Sequence, residues 1–441
     1  MFENAIRKKI AACGSPAVNC IPRLGLSPSP AWCFLVLFVM TIILFPRVTC
    51  AQDQDEVKGM PAESVDAKAI QAQIALVRKL EASLPDLGAI YYFLAAATEQ
   101  LHDSTGALDL LKKCLALQEG FDPSADPAFL EFEGSQEFQT MIEKVHREYP
   151  PAYAARLAFR AEEKDIIPEG LEYDAPRDVF YLSSLNRRKI VEIGRDGTVS
   201  DFVPENRYGL LPVLGIRVDL RDDTIWADSF SDRGQSELLH FDGSGKLLGR
   251  YGPQGTAKHG FNDLVVLKKG EVLTTDSLAN QVLEFSPGTH TFKELAVHRP
   301  LFYPNGIAVS GDELSVYVAD SLGVIRIDLT SGKSADVDPG PRSTLAGIDG
   351  LYWYKGSLIG VQNGIGAPRI ALFRFSADGL HIVRTTVLEN RSRFTMSPTT
   401  GAIRGSDFYF IANSPVDDLN DNKVMDTTRL EPVRIGVIHL P

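Results

Sequence analysis

The chain has 441 residues, is 44% hydrophobic and 23% charged, and carries a formal net charge of −12 at pH 7. That length and apolar content support at least one large buried core and two or three domains, which excludes a disordered protein. The acidic balance, with Lys and Arg gathered nowhere into a basic stretch, excludes a nucleic acid as partner.

Residues 31–45 form an uncharged apolar run between Pro30 and Pro46, preceded by Arg7, Lys8, Lys9 and Arg23. Such a run is short for a membrane span and suits the apolar region of a signal peptide. Thr49-Cys-Ala51 places small residues for cleavage after Ala51. Two alternatives stand beside cleavage: an uncleaved anchor over 31–45, the chain's one route to a membrane, and a lipoprotein attached through Cys50. Either way the protein is expected to be exported, periplasmic or secreted, or membrane-anchored. Cys13, Cys20, Cys33 and Cys50 lie in this leader and only Cys114 lies beyond it, so no intrachain disulfide framework is expected in the mature chain.

Residues 52–67 read as a polar linker. Over 68–150 the apolar period becomes helical: Ile70, Ile74, Val77, Leu80 and Leu84 recur at three to four residues, and Pro85 stops the segment. Residues 88–101 form a second amphipathic stretch, and Thr105 reads as the cap of a third over 107–117. Tyr92 and Ala95 in the first helix, with Gly106 and Ala107 opening the second, resemble one tetratricopeptide-type unit. One unit is fewer than a free-standing array needs, so a helical cap leaning on another domain is expected, with a protein partner as a second use of it.

Pro150-Pro151 ends the helical pattern, and the domain over 165–441 is read as strands and Gly/Asp/Asn turns. A hairpin unit recurs at roughly 43 to 49 residues, a period that propeller blades occupy. Its six openings are Pro168–Tyr173, Leu214–Asp219, Phe261–Val266, Pro304–Val309, Ile348–Trp353 and Pro398–Ile403. The fold class is therefore mainly β, a six-bladed β-propeller with an N-terminal α-helical, tetratricopeptide-like segment.

First strands line a propeller's channel, so the residues that open them converge on one mouth. Here these are Glu169, Gly215, Asn262, Asn305, Asp349 and Thr399. Two carboxylates and two carboxamides, without thiolate or imidazole, suit a hard divalent cation such as Ca²⁺ or Mg²⁺. Asn and Asp before Gly are also ordinary turn residues, which would explain any one of them alone.

Pro-Glu-Gly at 168–170, Phe-Asn-Asp at 261–263, Tyr-Pro-Asn-Gly and Tyr-Val-Ala-Asp-Ser within 303–321, and Asp-Gly at 349–350 resemble the SMP-30/gluconolactonase/luciferin-regenerating-enzyme group of six-bladed propellers. The resemblance runs from about Ile166 to the C-terminus. It implies a metal-dependent hydrolase of a lactone or small ester. Glu169, Asn305 and Asp349 would be ligands of a divalent ion, Ca²⁺ first, with Mg²⁺, Mn²⁺ or Zn²⁺ as alternatives. Asn262 would contact the ion, its water or a small-molecule substrate, and Asp349 would double as general base. Sugar-lactone members carry an Arg two residues before the third-blade Asn; this chain has Gly260 there, which leaves sugar specificity open. His259 beside it would replace that Arg in binding substrate, or be a solvated loop residue. Arg217 would contact substrate from the channel wall, or pair with a neighbouring carboxylate.

Gly243-Ser-Gly-Lys246 lacks the spacing of a phosphate loop and reads as a hairpin turn. Asp418-Leu-Asn-Asp-Asn422 imitates the start of a calcium loop, but Arg429 stands at position twelve, so it reads as a solvated loop. Phe241-Asp-Gly-Ser-Gly-Lys246 with Arg250-Tyr-Gly-Pro253 resembles an NHL repeat, and a non-catalytic propeller that binds protein or ligand is the competing reading.

Overall fold

The computed structural model describes residues 67–441, apart from 232, 417–418, 421–422 and 425–426. The expectations for the leader and the linker, and most of Asp418–Asn422, lie outside these residues. Among the described residues no helix is long and apolar enough to cross a membrane.

Among the described residues four α-helices come first: α1 Ala67–Ser83, α2 Gly88–Gln100, α3 Ser104–Ala116 and α4 Gln136–Glu148. The cap of α3 is Asp103, whose side chain accepts a hydrogen bond from Gly106 N at 2.9 Å. Thr105 had been expected there; the carboxylate two residues earlier reaches the free backbone amides of the first turn, so the helix starts sooner. The core of this segment joins Tyr92, Phe121 and Phe129 to three residues from loops between the later strands, Leu322, Ala346 and Ile365.

Six antiparallel sheets follow as blades: blade 1 over 171–203, blade 2 over 213–251, blade 3 over 261–294, blade 4 over 307–336, blade 5 over 348–390 and blade 6 over 401–439. Each alternates apolar residues into the seams between neighbouring sheets, as where Trp226 of blade 2 packs with Phe285 of blade 3. The turn at 243–246 joins Ser236–Asp242 to Leu247–Tyr251 as a hairpin, with Asp242 accepting from Ser244 N at 2.9 Å and Lys246 N at 3.0 Å.

Blades 5 and 6 borrow strands from the chain ahead of the repeats. Arg156–Ala161 pairs with Val433–His439 as the outer strand of blade 6, and Ala152–Tyr153 pairs with the edge of blade 5. Closing a ring by joining the two ends of one sheet removes a free edge. The 156–161 strand, which precedes the stretch read as propeller from sequence, has half of its residues exposed, so it shows little of the apolar alternation of its partners.

Candidate active site

Three of the six inner strands carry the same irregularity. Pairing slips between Val213 and Ile216 in blade 2, Phe261 and Leu264 in blade 3, and Ile348 and Leu351 in blade 5. Each slip is a bulge that takes two residues out of the ladder and re-aims them. In blades 3 and 5 the pairs are Asn262-Asp263 and Asp349-Gly350.

Close approaches between blades establish which residues are equivalent. A Cβ on Gly170 would run into the carbonyl of Leu214; on Gly215, that of Asn262; on Gly306, that of Asp349; on Gly350, that of Thr399. The hydroxyls of Thr275 and Thr400 donate to the carbonyls of Asn305 at 2.8 Å and Glu169 at 2.5 Å. The ring at this mouth is therefore Glu169, Leu214, Asn262, Asn305, Asp349 and Thr399. Its second member is Leu214, not Gly215: the matching slips put Leu214 where Asn262 and Asp349 stand in their blades, and it packs with Ile167 and Leu185.

Asp349, Asn305, Tyr303 and Asn363 line one cavity of about 60 Å³. Asn363 Nδ2 donates to Asp349 Oδ2 at 2.6 Å and to Pro398 O at 3.0 Å. Both amide protons are thereby used, which settles the orientation of that carboxamide. Burial pushes the Asp349 carboxyl up to about 7, and the negative Asp263 adds to this, while hydrogen bonds from Asn363 and Asn305 pull it down. Burial, then the charges of Asp349 and Glu169, raises the Tyr303 phenol. Tyr303 thus lies within electrostatic reach of both Asp349 and Glu169. The Tyr303 backbone is left-handed, with φ of 54°, and Asn280 Oδ1 accepts from its amide at 2.9 Å. A bulky residue held in that conformation is strained, and such strain gathers at functional sites.

Asn262 meets Ser277, whose hydroxyl donates to Pro304 O at 2.6 Å. Having used its one proton, Ser277 Oγ must accept from Asn262 Nδ2, 3.0 Å away. Asn262 Oδ1 is then the atom available to a ligand.

Neither His259 nor Arg217 lines that cavity. His259 Nδ1 is 2.5 Å from Asp276 Oδ2, and that buried carboxylate also accepts from the backbone amides of Gly260 and Ala279. Blade 4 has the same device, Arg299 Nη1 on Asp320 Oδ2 at 2.6 Å. His259 therefore braces a blade corner. Arg217 pairs with Asp263 at 2.9 Å and lines a second cavity of about 310 Å³ with Glu172 and Tyr352, which shares no lining residue with the first.

Among the described residues no three His, Cys, Asp or Glu side chains group as metal ligands. The ring offers two carboxylates, and its other oxygens are carboxamides and a hydroxyl. Thr399 Oγ1, at the sixth position, is buried with no hydrogen-bond partner. Hard oxygen donors, one of them a buried carboxyl that favours neutralisation, suit a divalent cation of the Ca²⁺ or Mg²⁺ type. The sequence pattern does not single out Asn363; it follows directly on the second strand of blade 5, Ser357–Gln362, and a Gln-Asn-Gly turn is its only signal.

No family model matches the chain, and no curated protein matches it. Solved structures do. Virginiamycin B lyase from Staphylococcus aureus is 14% identical with a TM-score of 0.47, over 65% of this chain and 100% of that one. A gluconolactonase from Xanthomonas campestris is 16% identical with a TM-score of 0.46, over 66% and 96%. A luciferin-regenerating enzyme is 12% identical with a TM-score of 0.43, over 64% and 94%. At these identities and TM-scores the likeness assigns no activity; the six-bladed β-propeller is read from the six sheets themselves.

Proposed function

We propose that the chain is a metal-dependent hydrolase of a lactone or similar small ester, working at the mouth that holds Asp349. The reading rests above all on the buried Asp349 carboxyl, pushed up to about 7, held by Asn363 and sharing a cavity with Asn305. Glu169, Asn305 and Asp349 would hold the ion, with Asn262 Oδ1 turned to substrate or water. Such a cation, when bound, supplies Lewis-acid polarisation of an ester carbonyl.

The cavity of about 60 Å³ has room for an ion and a water, since a water takes about 30 Å³ of liquid volume. Asn363 fixes the plane of the Asp349 carboxylate, which takes the proton of the attacking water. Cys114 offers no alternative nucleophile: it is fully buried among the helices, and burial raises its thiol well above the usual range.

The test is a panel of lactones and aryl esters with the full chain, before and after EDTA. Turnover that EDTA abolishes and Ca²⁺ restores supports the hydrolase. Protein that turns over nothing and ignores both reagents belongs to the competing reading, a non-catalytic binding propeller.

A further inference from the structure

The loop that carries Asn363 is held from two sides. Toward the channel, Asn363 grips Asp349, and the backbone amides of Asn363 and Gly364 donate to Gly347 O at 3.2 and 3.1 Å. Toward the helices, Ile365 O accepts from Asp122 N at 3.1 Å and Ala367 N donates to Asp122 O at 2.7 Å. Gly366 lies between them with φ of 90°, and a Cβ there would run into the Asp122 carbonyl. Glycine is what allows the two backbones to meet. Ile365 is fully buried in the helical core.

Asp122 is itself held. Arg391 Nη1 lies 2.8 Å and His146 Nε2 3.3 Å from its carboxylate. Arg369, buried, donates to Gln362 Oε1 at 2.7 Å and to Gly120 O at 3.2 Å, so both ends of the loop are tied to residues 120–122. Two further cavity-lining residues, Ser321 and Gly347, adjoin Leu322 and Ala346, which also enter the helical core.

We propose that the helical segment is a working part of the candidate active site. The Asp122–Gly366 bridge and the Ile365 anchor position Asn363, and Asn363 in turn holds the Asp349 carboxylate. Ile365 and Asn363 are positioning residues. The functional consequence rests on the cation-site reading; the mechanical coupling rests on the hydrogen bonds and packing alone.

The test compares full-length wild type with Ile365→Ala, Gly366→Ala and Asn363→Ala, by segment-resolved hydrogen exchange and by titration with Ca²⁺ alone. Both helix-side variants are expected to speed exchange over 346–351 roughly tenfold while 213–251 keeps its wild-type rates. They should weaken Ca²⁺ binding about tenfold, as does Asn363→Ala, the scale on which supporting residues tune a metal site. Ile365→Val, which keeps most of the buried side chain, should restore both readouts. It also carries the comparison if Ile365→Ala does not fold. Exchange that quickens only over 67–148, with Ca²⁺ affinity intact, refutes the coupling and leaves the cation site standing. If no form takes Ca²⁺, the hydrolase reading falls and exchange alone decides: spread into 346–351 supports the coupling, confinement to the helices overturns it.

Discussion

Asp263 lies between the two cavities of the channel, paired with Arg217 at 2.9 Å, and its charge acts on Asp349 on one side and on Glu172 on the other. Asp263 is buried and Arg217 partly so, and Asp263 Oδ2 also accepts from Ile307 N at 3.3 Å. Removing one partner leaves a buried charge uncompensated. Arg217→Met should cost about 3–5 kcal/mol of unfolding free energy in urea titrations. The double variant with Asp263→Leu should recover much of that loss, because no lone charge remains.

Glu172 gives the protein a pH dependence of definite sign. Burial, against the attraction of Arg217, pushes its carboxyl from the ordinary 4.5 up to about 7. Between those values the folded state binds more protons than the unfolded one, so stability falls as pH rises through that window and levels off above it. Glu172→Gln should be nearly neutral at pH 4 and stabilising by up to about 3 kcal/mol at pH 8. Melting temperatures of both proteins across that range check it; a variant that stabilises equally at both ends would contradict it.

His259 separates a brace from a catalytic group. His259→Ala removes one donor from the buried Asp276 carboxylate, a loss of about 1.5–3 kcal/mol in stability. Ca²⁺ affinity and turnover should stay within about twofold of wild type, far below the hundredfold or more that loss of a general acid or base produces. Denaturation and steady-state kinetics on the same preparation measure both.

Much of the fold was legible because the hairpin repeats with little variation: Ile307–Val309 with Ser315–Asp320 recurs as Phe261–Val266 with Val272–Asp276. The edge strand 156–161 was not, since an outer strand pairs on one side only and half of its residues are exposed, which leaves too short an apolar pattern to read. Asn262, Asn305 and Asp349 could be read as a set because each stands at the opening of a strand. Leu214 could not, since a leucine at that position carries no polar signal to align with the others. Asn363 and the hold of Asp122 on its loop depend on residues 241 positions apart, beyond the reach of any local pattern.

The glycines of the inner strands measure how tightly the ring is drawn. Gly306→Ala would drive a methyl group into the carbonyl of Asp349 and the backbone of Leu351. Neither can yield without moving a strand, so a loss of about 1–3 kcal/mol or more is expected. Ca²⁺ affinity should fall with it, because the atom that is struck belongs to Asp349. Thermal unfolding with and without Ca²⁺ reads both effects.

The most direct measurement is the Ca²⁺ bound by the full-length protein, by calorimetric titration of the EDTA-treated chain, for wild type, Asn305→Ala and Asp349→Asn. One ion per chain should bind the wild type, with affinity reduced at least about a hundredfold in both variants, alongside loss of lactone hydrolysis. Wild type that takes up no divalent ion, or variants that bind as tightly as wild type, would contradict a cation held at Asn305 and Asp349.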